Sequence, residues 1–344
     1  MQRSPFESDH LMAEASKRLV GKVIVITGAS GGIGRAAALQ FASAGSHVVL
    51  AARRLAALED TAALCRQRGG QAHVVPTDVT RDADLERLRD EALARWGRID
   101  VWINNAGTTY FARLDDGDLA KHRRVIDTNL IAPMVAARLI LPVFRRQRSG
   151  TLINIGSVLS QIGQTFVPAY VISKFGLRGL SEAVRTDVAD IPGINVCTVL
   201  PYAVDTPHFE DAANDTGKRA HAMQPVQEPE RVARAIVEIA ARPRRQRYVP
   251  RYVAAGLVLH WLWPELVERV LHRALRTFHL VGHQNVTDGN LYAPTQTAGT
   301  VHGHRRPVIG RTLFAMWVAK EVVSMGAEWL HSRLAWRAPH ATRS

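Results

Sequence analysis

Tyr170 and Lys174 stand four residues apart in "YVISK", and Ser157 precedes the tyrosine by thirteen. If the stretch is helical, its 3.6-residue repeat sets the phenol and the ammonium side by side on one face. A free tyrosine titrates near ~10, and matching it to neutral pH takes two to three units, about 3–4 kcal/mol. One ammonium at ~4 Å, at an effective dielectric near ~20, supplies about 4 kcal/mol. The pair therefore has the means for general acid–base work, and a serine hydroxyl arriving from a strand end completes a site for one oxygen atom. Taken alone, Ser157 is an ordinary hydroxyl and Tyr170 an aromatic after Pro168, so the meaning rests on the elements around them.

Those elements are legible from Lys22 to about Pro250. Val- and Ile-rich runs appear at "KVIVIT", "HVVLAA", "AHVVP", "DVWIN", "TLINIG" and "INVCTVL", each long enough for one buried strand. Between them lie helix-length amphipathic stretches such as "DADLERLRDEALARW" and "EPERVARAIVEIA", the second opened by Pro229 and stopped by Pro243. This alternation predicts an α/β fold, a doubly wound parallel sheet with helices on both faces. Ligands of such sheets bind at the carboxyl ends of the strands.

The first strand runs directly into "TGASGGIG", with Gly28, Gly32 and Gly34 opening the next helix. Glycines there let the backbone turn sharply and approach a pyrophosphate, which meets the helix's free N–H groups and positive dipole end. The second strand ends "VVLAARR", where a dinucleotide site normally offers an acid to the adenosine ribose. Here Ala52 is followed by Arg53 and Arg54, whose planar guanidinium groups suit a 2′-phosphate. The expected cofactor is NADP(H) rather than NAD(H).

With "TGASGGIG", "NNAG" at Asn104 to Gly107, Asn129 in "IDTNL", Ser157 and "YVISK" in this order, the chain resembles the classical short-chain dehydrogenase/reductase family over residues 20 to about 250. The resemblance implies a Rossmann-like domain, hydride transfer to or from a nicotinamide, an alcohol or carbonyl substrate, and a homodimer or homotetramer. It makes Tyr170 the general acid/base, Ser157 a hydrogen-bond partner of the substrate oxygen, and Lys174 a contact of the nicotinamide ribose. Asn129 supports a water relay. By the same likeness Thr27, Gly28, Ser30, Gly32, Ile33 and Gly34 form the phosphate turn. Asp78 and Val79 meet the adenine, Asn105, Ala106 and Gly107 line the cofactor, and Pro201, Val204 and Thr206 meet the nicotinamide end. Two departures stand out: Pro201-Tyr202 replaces the usual Pro-Gly, which narrows the substrate cleft, and Gly156 replaces a common serine. The loop from Tyr202 to Glu228 is expected to cover the substrate, and its Phe209 and Met223 suit a lipophilic one.

Residues 251–344 form a basic, Trp- and His-containing extension, expected to be mainly helical, and residues 1–19 an N-terminal arm. Of the formal charge of +13, residues 242–344 carry 15 − 5 = +10, so the rest is nearly neutral. The arginines are spread along amphipathic segments and match no nucleic-acid motif, so no nucleic-acid partner is expected. Cys65 and Cys197 lie far apart, which fits a reducing cytoplasm, and "MQRSPFESDHLMAEASKRLVGK" lacks the apolar run of an export signal. "PELVERVLHRALRTFHLVG" reads as one amphipathic helix, and residues 284–310 as irregular. No metal site is expected: His279, His283 and the "HGH" at His302 to His304 have no carboxylate or cysteine beside them in sequence and read as surface histidines. "YVAAGLVLHWLW" is too short to span a bilayer, but with the basic helix after it has the elements of a segment lying in the headgroup plane. Packing of the same apolar faces on the core or on a second subunit is the competing expectation. Two rival functions follow: a non-catalytic NADP-binding regulator or scaffold, and a membrane-surface protein whose tail does the main work. A regulator has no need of Asn129, Ser157, Tyr170 and Lys174 together.

Overall fold

Each of the six Val/Ile-rich runs becomes one strand in the computed structural model, which describes residues 13–295, 299–304 and 307–336, with side chains as far as Met325. The strands are β1 (Val23–Thr27), β2 (His47–Ala52), β3 (Gln71–Pro76), β4 (Val101–Asn104), β5 (Gly150–Ile155) and β6 (Ile194–Pro201). A strand that the sequence did not announce, β7 (Gln246–Val249), adds parallel to β6 at the sheet edge. Its "QRYV" is short and half-polar, so it carries no apolar signal, and the backbone partnership from Gln246 opposite Thr198 defines it. The seven-stranded parallel sheet has the order β3-β2-β1-β4-β5-β6-β7. Direction of winding reverses between β1 and β4, which opens a crevice above their carboxyl ends.

Helices cover both faces. On one, α1 (Gly32–Ser43), α2 (Leu55–Gln67) and α7 (Pro229–Ala241) seal Ile24, Ile26 and Leu50. On the other, α3 (Asp82–Trp96), α5 (Ala132–Gln147) and α6 (Pro168–Asp187) seal Val25, Val49 and Trp102. A shorter α4 (Leu119–Ile126) runs through one π-helical turn, Asp127–Ile131, into α5. This continuous helix is long and apolar enough to cross a membrane, but Ala136, Ile140, Val143 and Phe144 spend its apolar face on the sheet.

Beyond Pro250, α8 (Val253–Leu262) and α9 (Pro264–Ala274) meet at Trp263, and the helix expected over residues 264–282 ends early: a π turn, Leu275–His279, leads into a strand, Leu280–His283. That strand pairs antiparallel with Lys218–Ala220 of the loop after β6. Gly282, at φ +78°, takes a left-handed conformation that glycine reaches freely and a right-handed helix does not use, and burial of Leu280 against Phe111 and Val167 favours the extended path. Residues 284–295 and 299–304 then lie over the crevice as an irregular strap, and α10 (Arg311–Trp336) returns onto α9, where Phe278, Phe314 and Trp317 cluster.

Candidate active site

Ser157 leaves β5 in extended backbone and caps a single 3-10 turn, Val158–Ser160, its Oγ accepting the Leu159 N–H at 3.1 Å. Pro168 starts α6, so Tyr170 lies in its first turn and Lys174 one turn on, with Nζ 5.4 Å from the phenol ring centroid. The Ser157 side chain lies beside the Tyr170 hydroxyl, where it favours the ionised phenol. Lys174 Nζ donates to the Ile155 carbonyl at 2.8 Å, which ties α6 to the end of β5. Asn129 comes from the π turn and is buried one layer behind. Its Oδ1 accepts the Thr108 N–H at 2.9 Å, and its Nδ2 donates to Thr108 O at 2.9 Å and Ser173 Oγ at 3.1 Å. It braces the loop after β4 against α6.

The electrostatics differ from the sequence expectation. Burial pushes the Tyr170 phenol up to about 12, opposed only in part by Ser157, and pushes the Lys174 ammonium down to about 8. Removing water disfavours both charged forms, and here that outweighs the attraction across 5.4 Å. Tyr170 is therefore a protonated donor, and Lys174 is poised to change charge near physiological pH.

The glycine turn between β1 and α1 is packed too tightly for side chains. A Cβ on Gly34 would lie 2.2 Å from Gly28 O, and one on Gly28, at φ +69°, 2.9 Å from Ala106 Cα. The turn faces two adjoining cavities. The larger, about 470 Å³, reaches from Gly28, Ser30, Gly32 and Ile33 past Pro201, Val204 and Thr206 to Ser157, Tyr170 and Lys174, and Asn105 also lines it. The smaller, about 120 Å³, lies among Arg53, Asp78, Val79 and Ala106, and both cavities touch Gly28, Ser30, Arg54 and Gly107. Thr27 and Gly34 line neither. Thr27 is buried with its Oγ1 accepting the N–H groups of Asn105 and Ala106, so it joins β1 to the loop after β4 from behind. Asp78 is drawn below the usual carboxylate range: burial raises it, but Thr80, Arg124 and Arg53 together outweigh that. A narrow glycine-lined cradle at a helix N-terminus, flanked by an acid and two arginines, fits a nicotinamide dinucleotide.

The strap was not foreseen as part of this crevice. Arg53 Nη2 donates to Asn290 O at 2.5 Å, Gly32 N–H to Thr300 O at 2.9 Å, and Arg35 to Gly299 O. Nor was the tail's share of the larger cavity, to which α8 gives Leu257, α9 gives Leu271 and the π turn gives His279. From the loop after β6 come Phe209 and Met223, as expected, and Tyr202, whose hydroxyl donates to Gln224 O at 3.1 Å and so anchors the loop. His208 is a further residue that sequence reasoning missed. Its ring is 5.9 Å from that of Tyr170, its Nε2 lies 2.7 Å from Thr109 Oγ1, and burial, then Lys174, push it down to about 4.

Two histidine readings need correction. His279 is not a surface residue: it is 2% exposed. And the "HGH" stretch does meet carboxylates once folded, His302 lying 3.0 Å from Glu230, 3.4 Å from Glu228 and 3.8 Å from Asp205, an exposed ionic cluster that pins the strap to the start of α7.

A sequence model described as short chain dehydrogenase matches residues 22–217. The chain belongs to the short-chain dehydrogenase family. This short-chain dehydrogenase is an oxidoreductase acting on CH–OH or C=O groups. It is 33% identical over 262 residues to the uncharacterized oxidoreductase YxnA of Bacillus subtilis, covering 75% of this chain and 74% of that one. It is 27% identical over 272 residues to 17-beta-hydroxysteroid dehydrogenase 13 of Rattus norvegicus, covering 78% and 88%. A crystal structure of a short chain dehydrogenase/reductase from Burkholderia phymatum in complex with NAD superposes with a TM-score of 0.65 at 25% identity, over 72% of this chain and 96% of that one.

Proposed function

We propose that this short-chain dehydrogenase interconverts a lipophilic alcohol and its ketone or aldehyde with NADP(H), in a catalytic unit over residues 20–250 completed on its substrate side by residues 251–344. The observation that carries the reading is the meeting of Ser157 and Tyr170, with Lys174 one turn on, at one end of a cavity continuous with the glycine cradle. The cofactor, when bound, supplies or accepts the hydride. In reduction Tyr170 gives its phenolic proton to the carbonyl oxygen while Ser157 Oγ donates a hydrogen bond to the same atom, and in oxidation the proton returns. Lys174 holds the cofactor ribose and supports the tyrosinate, and Asn129 keeps the loop after β4 and α6 in register. The apolar lining from Phe111, Phe209, Leu257 and Leu271, and the relative named as a hydroxysteroid dehydrogenase, support a lipophilic substrate. An NADPH-consumption screen over aliphatic, aromatic, steroid and acyl ketones tests the activity, and a chain inert toward all four leaves the regulator reading in place.

Arg53 and Arg54 beside the smaller cavity support the NADP(H) preference. NADPH is expected to bind at least tenfold more tightly than NADH, a difference of about 1.4 kcal/mol. Equal dissociation constants by fluorescence titration reject it.

A membrane-surface location is supported by the outer face of the tail. Trp261 is 80% exposed and Trp263 55%, and Tyr252, Val258 and Leu262 are exposed with them. The same helix presents Leu257 to the substrate cavity, so the cavity wall there is one helix thick. The full chain is expected to sediment with anionic liposomes at low salt and to be released as salt rises, and W261D/W263D to stay in the supernatant. An intact chain that fails to sediment at any salt makes this face the cover of a second subunit.

A further inference from the structure

One histidine in the wall of the larger cavity has no part in the proton transfer just described. His279 lines that cavity, is 2% exposed, and its Nε2 makes no hydrogen bond among the described residues. Its Nδ1 lies 2.5 Å from the carbonyl of His221, and its own carbonyl accepts the His221 N–H at 2.8 Å. A carbonyl partner requires the proton on Nδ1, and a neutral ring then has only a lone pair on Nε2. Burial pushes this imidazole down to about 4, which keeps it neutral over the physiological range. Phe111 and Phe209 flank the ring at centroid distances of 5.4 and 6.1 Å. An acceptor held dry between two aromatic rings loses its solvation with nothing in return unless a donor reaches it. Its backbone is fixed on both sides, by His221 and by the pairing of Leu280 with Ala220.

We propose that His279 Nε2 accepts a hydrogen bond from a hydroxyl that the substrate carries away from its reacting carbon, so that the ligand class is a lipophilic diol or hydroxy-ketone. This rests on the alcohol/ketone reading, since it takes Ser157 and Tyr170 as the site of the reacting oxygen. The second oxygen is read from the tail. A pocket built to pair a ligand hydroxyl discriminates strongly against the analogue that lacks it, because its own buried acceptor is then left orphaned.

The test is calorimetry on the NADPH-loaded full chain, a complex that cannot oxidise an alcohol, with a series of 1-alkanols from six to fourteen carbons and the matching α,ω-alkanediols. At one chain length the diol is expected to bind about tenfold more tightly than the alkanol. That preference is expected to vanish in H279F, the diol and the alkanol then binding within about twofold of one another. H279M, which fills the same space with a flexible apolar chain, gives the same reading should the phenyl ring not be accommodated. No diol preference at any length, or a preference that survives in H279F and H279M, overturns the proposal. Binding is read here without turnover, so failure of the oxidoreductase reading appears separately, as inert NADPH in the ketone screen.

Discussion

Replacing Tyr170 by phenylalanine is expected to lower turnover by about two to four orders of magnitude on the best ketone of the screen, with NADPH affinity unchanged within about twofold. The substitution removes one hydroxyl and keeps a ring of nearly the same volume, so the fold and the cradle, which Tyr170 does not build, stay in place. What is lost is the proton donor. The pH profile carries a second signature, with a definite sign. Reduction needs the phenol protonated, and a phenol raised to about 12 holds its proton throughout the accessible range. It also needs the Lys174 charge, which is present below about 8 and lost as pH rises through that value. Reduction is therefore expected to be level in mild acid and to fall above pH 8, whereas oxidation, which needs the tyrosinate, is expected to climb toward alkaline pH. Unchanged turnover in Y170F sinks the assignment, and a reductive rate that rises through pH 8 sinks the role given to Lys174.

Replacing Gly34 by alanine is expected to cost about 2–3 kcal/mol of stability, as overpacking does, and at least a hundredfold in NADPH affinity, about 2.7 kcal/mol. The added methyl would sit 2.2 Å from Gly28 O and 2.6 Å from Asn105 Nδ2. The first of these is backbone in the turn itself, which has no rotamer to change. The start of α1 must move away from β1, and the amide groups aimed at the pyrophosphate move with it. Gly179, inside α6 with nothing within 4 Å of an added Cβ, is the matched control. G179A is expected to be neutral or up to about 1 kcal/mol stabilising, because alanine favours the helix interior. Thermal melts and NADPH titrations of the two variants decide the matter, and a G34A chain that binds NADPH within threefold of the parent contradicts it.

How much of this was legible in the sequence depended on whether the signal was local. The strands from Val23 to Pro201, the turn at Gly28 to Gly34 and the helical spacing of Tyr170 and Lys174 are written in contiguous residues, and each is a matter of period or of turn geometry. β7 escaped because its four residues are identified only by the neighbour they pair with. The tail escaped for a related reason. Its periodicity told which face of α9 is apolar but not what covers it, so His279 read as a surface residue, although its partners, Phe111, Phe209 and His221, lie far away in the chain. The Tyr170–Lys174 balance was misjudged at the same point. Coulomb attraction can be guessed from spacing, but the loss of water depends on everything packed around the pair.

On the proposed function, proton transfer and ligand choice fall to different lengths of this polypeptide. Ser157 sits just past the end of β5, and Tyr170 and Lys174 on α6, held by the sheet, whereas α8 has no buried residue and still walls the cavity through Val253, Gly256 and Leu257. Substitutions along α8 meet neither the sheet nor the reacting oxygen, so they carry little thermodynamic penalty and leave the reaction step untouched. A lineage can therefore exchange one ligand for another by drift in residues 253–262, while selection on the catalytic helix stays constant. In the laboratory the same stretch is the place to graft or randomise when a new substrate is wanted from an intact reaction centre.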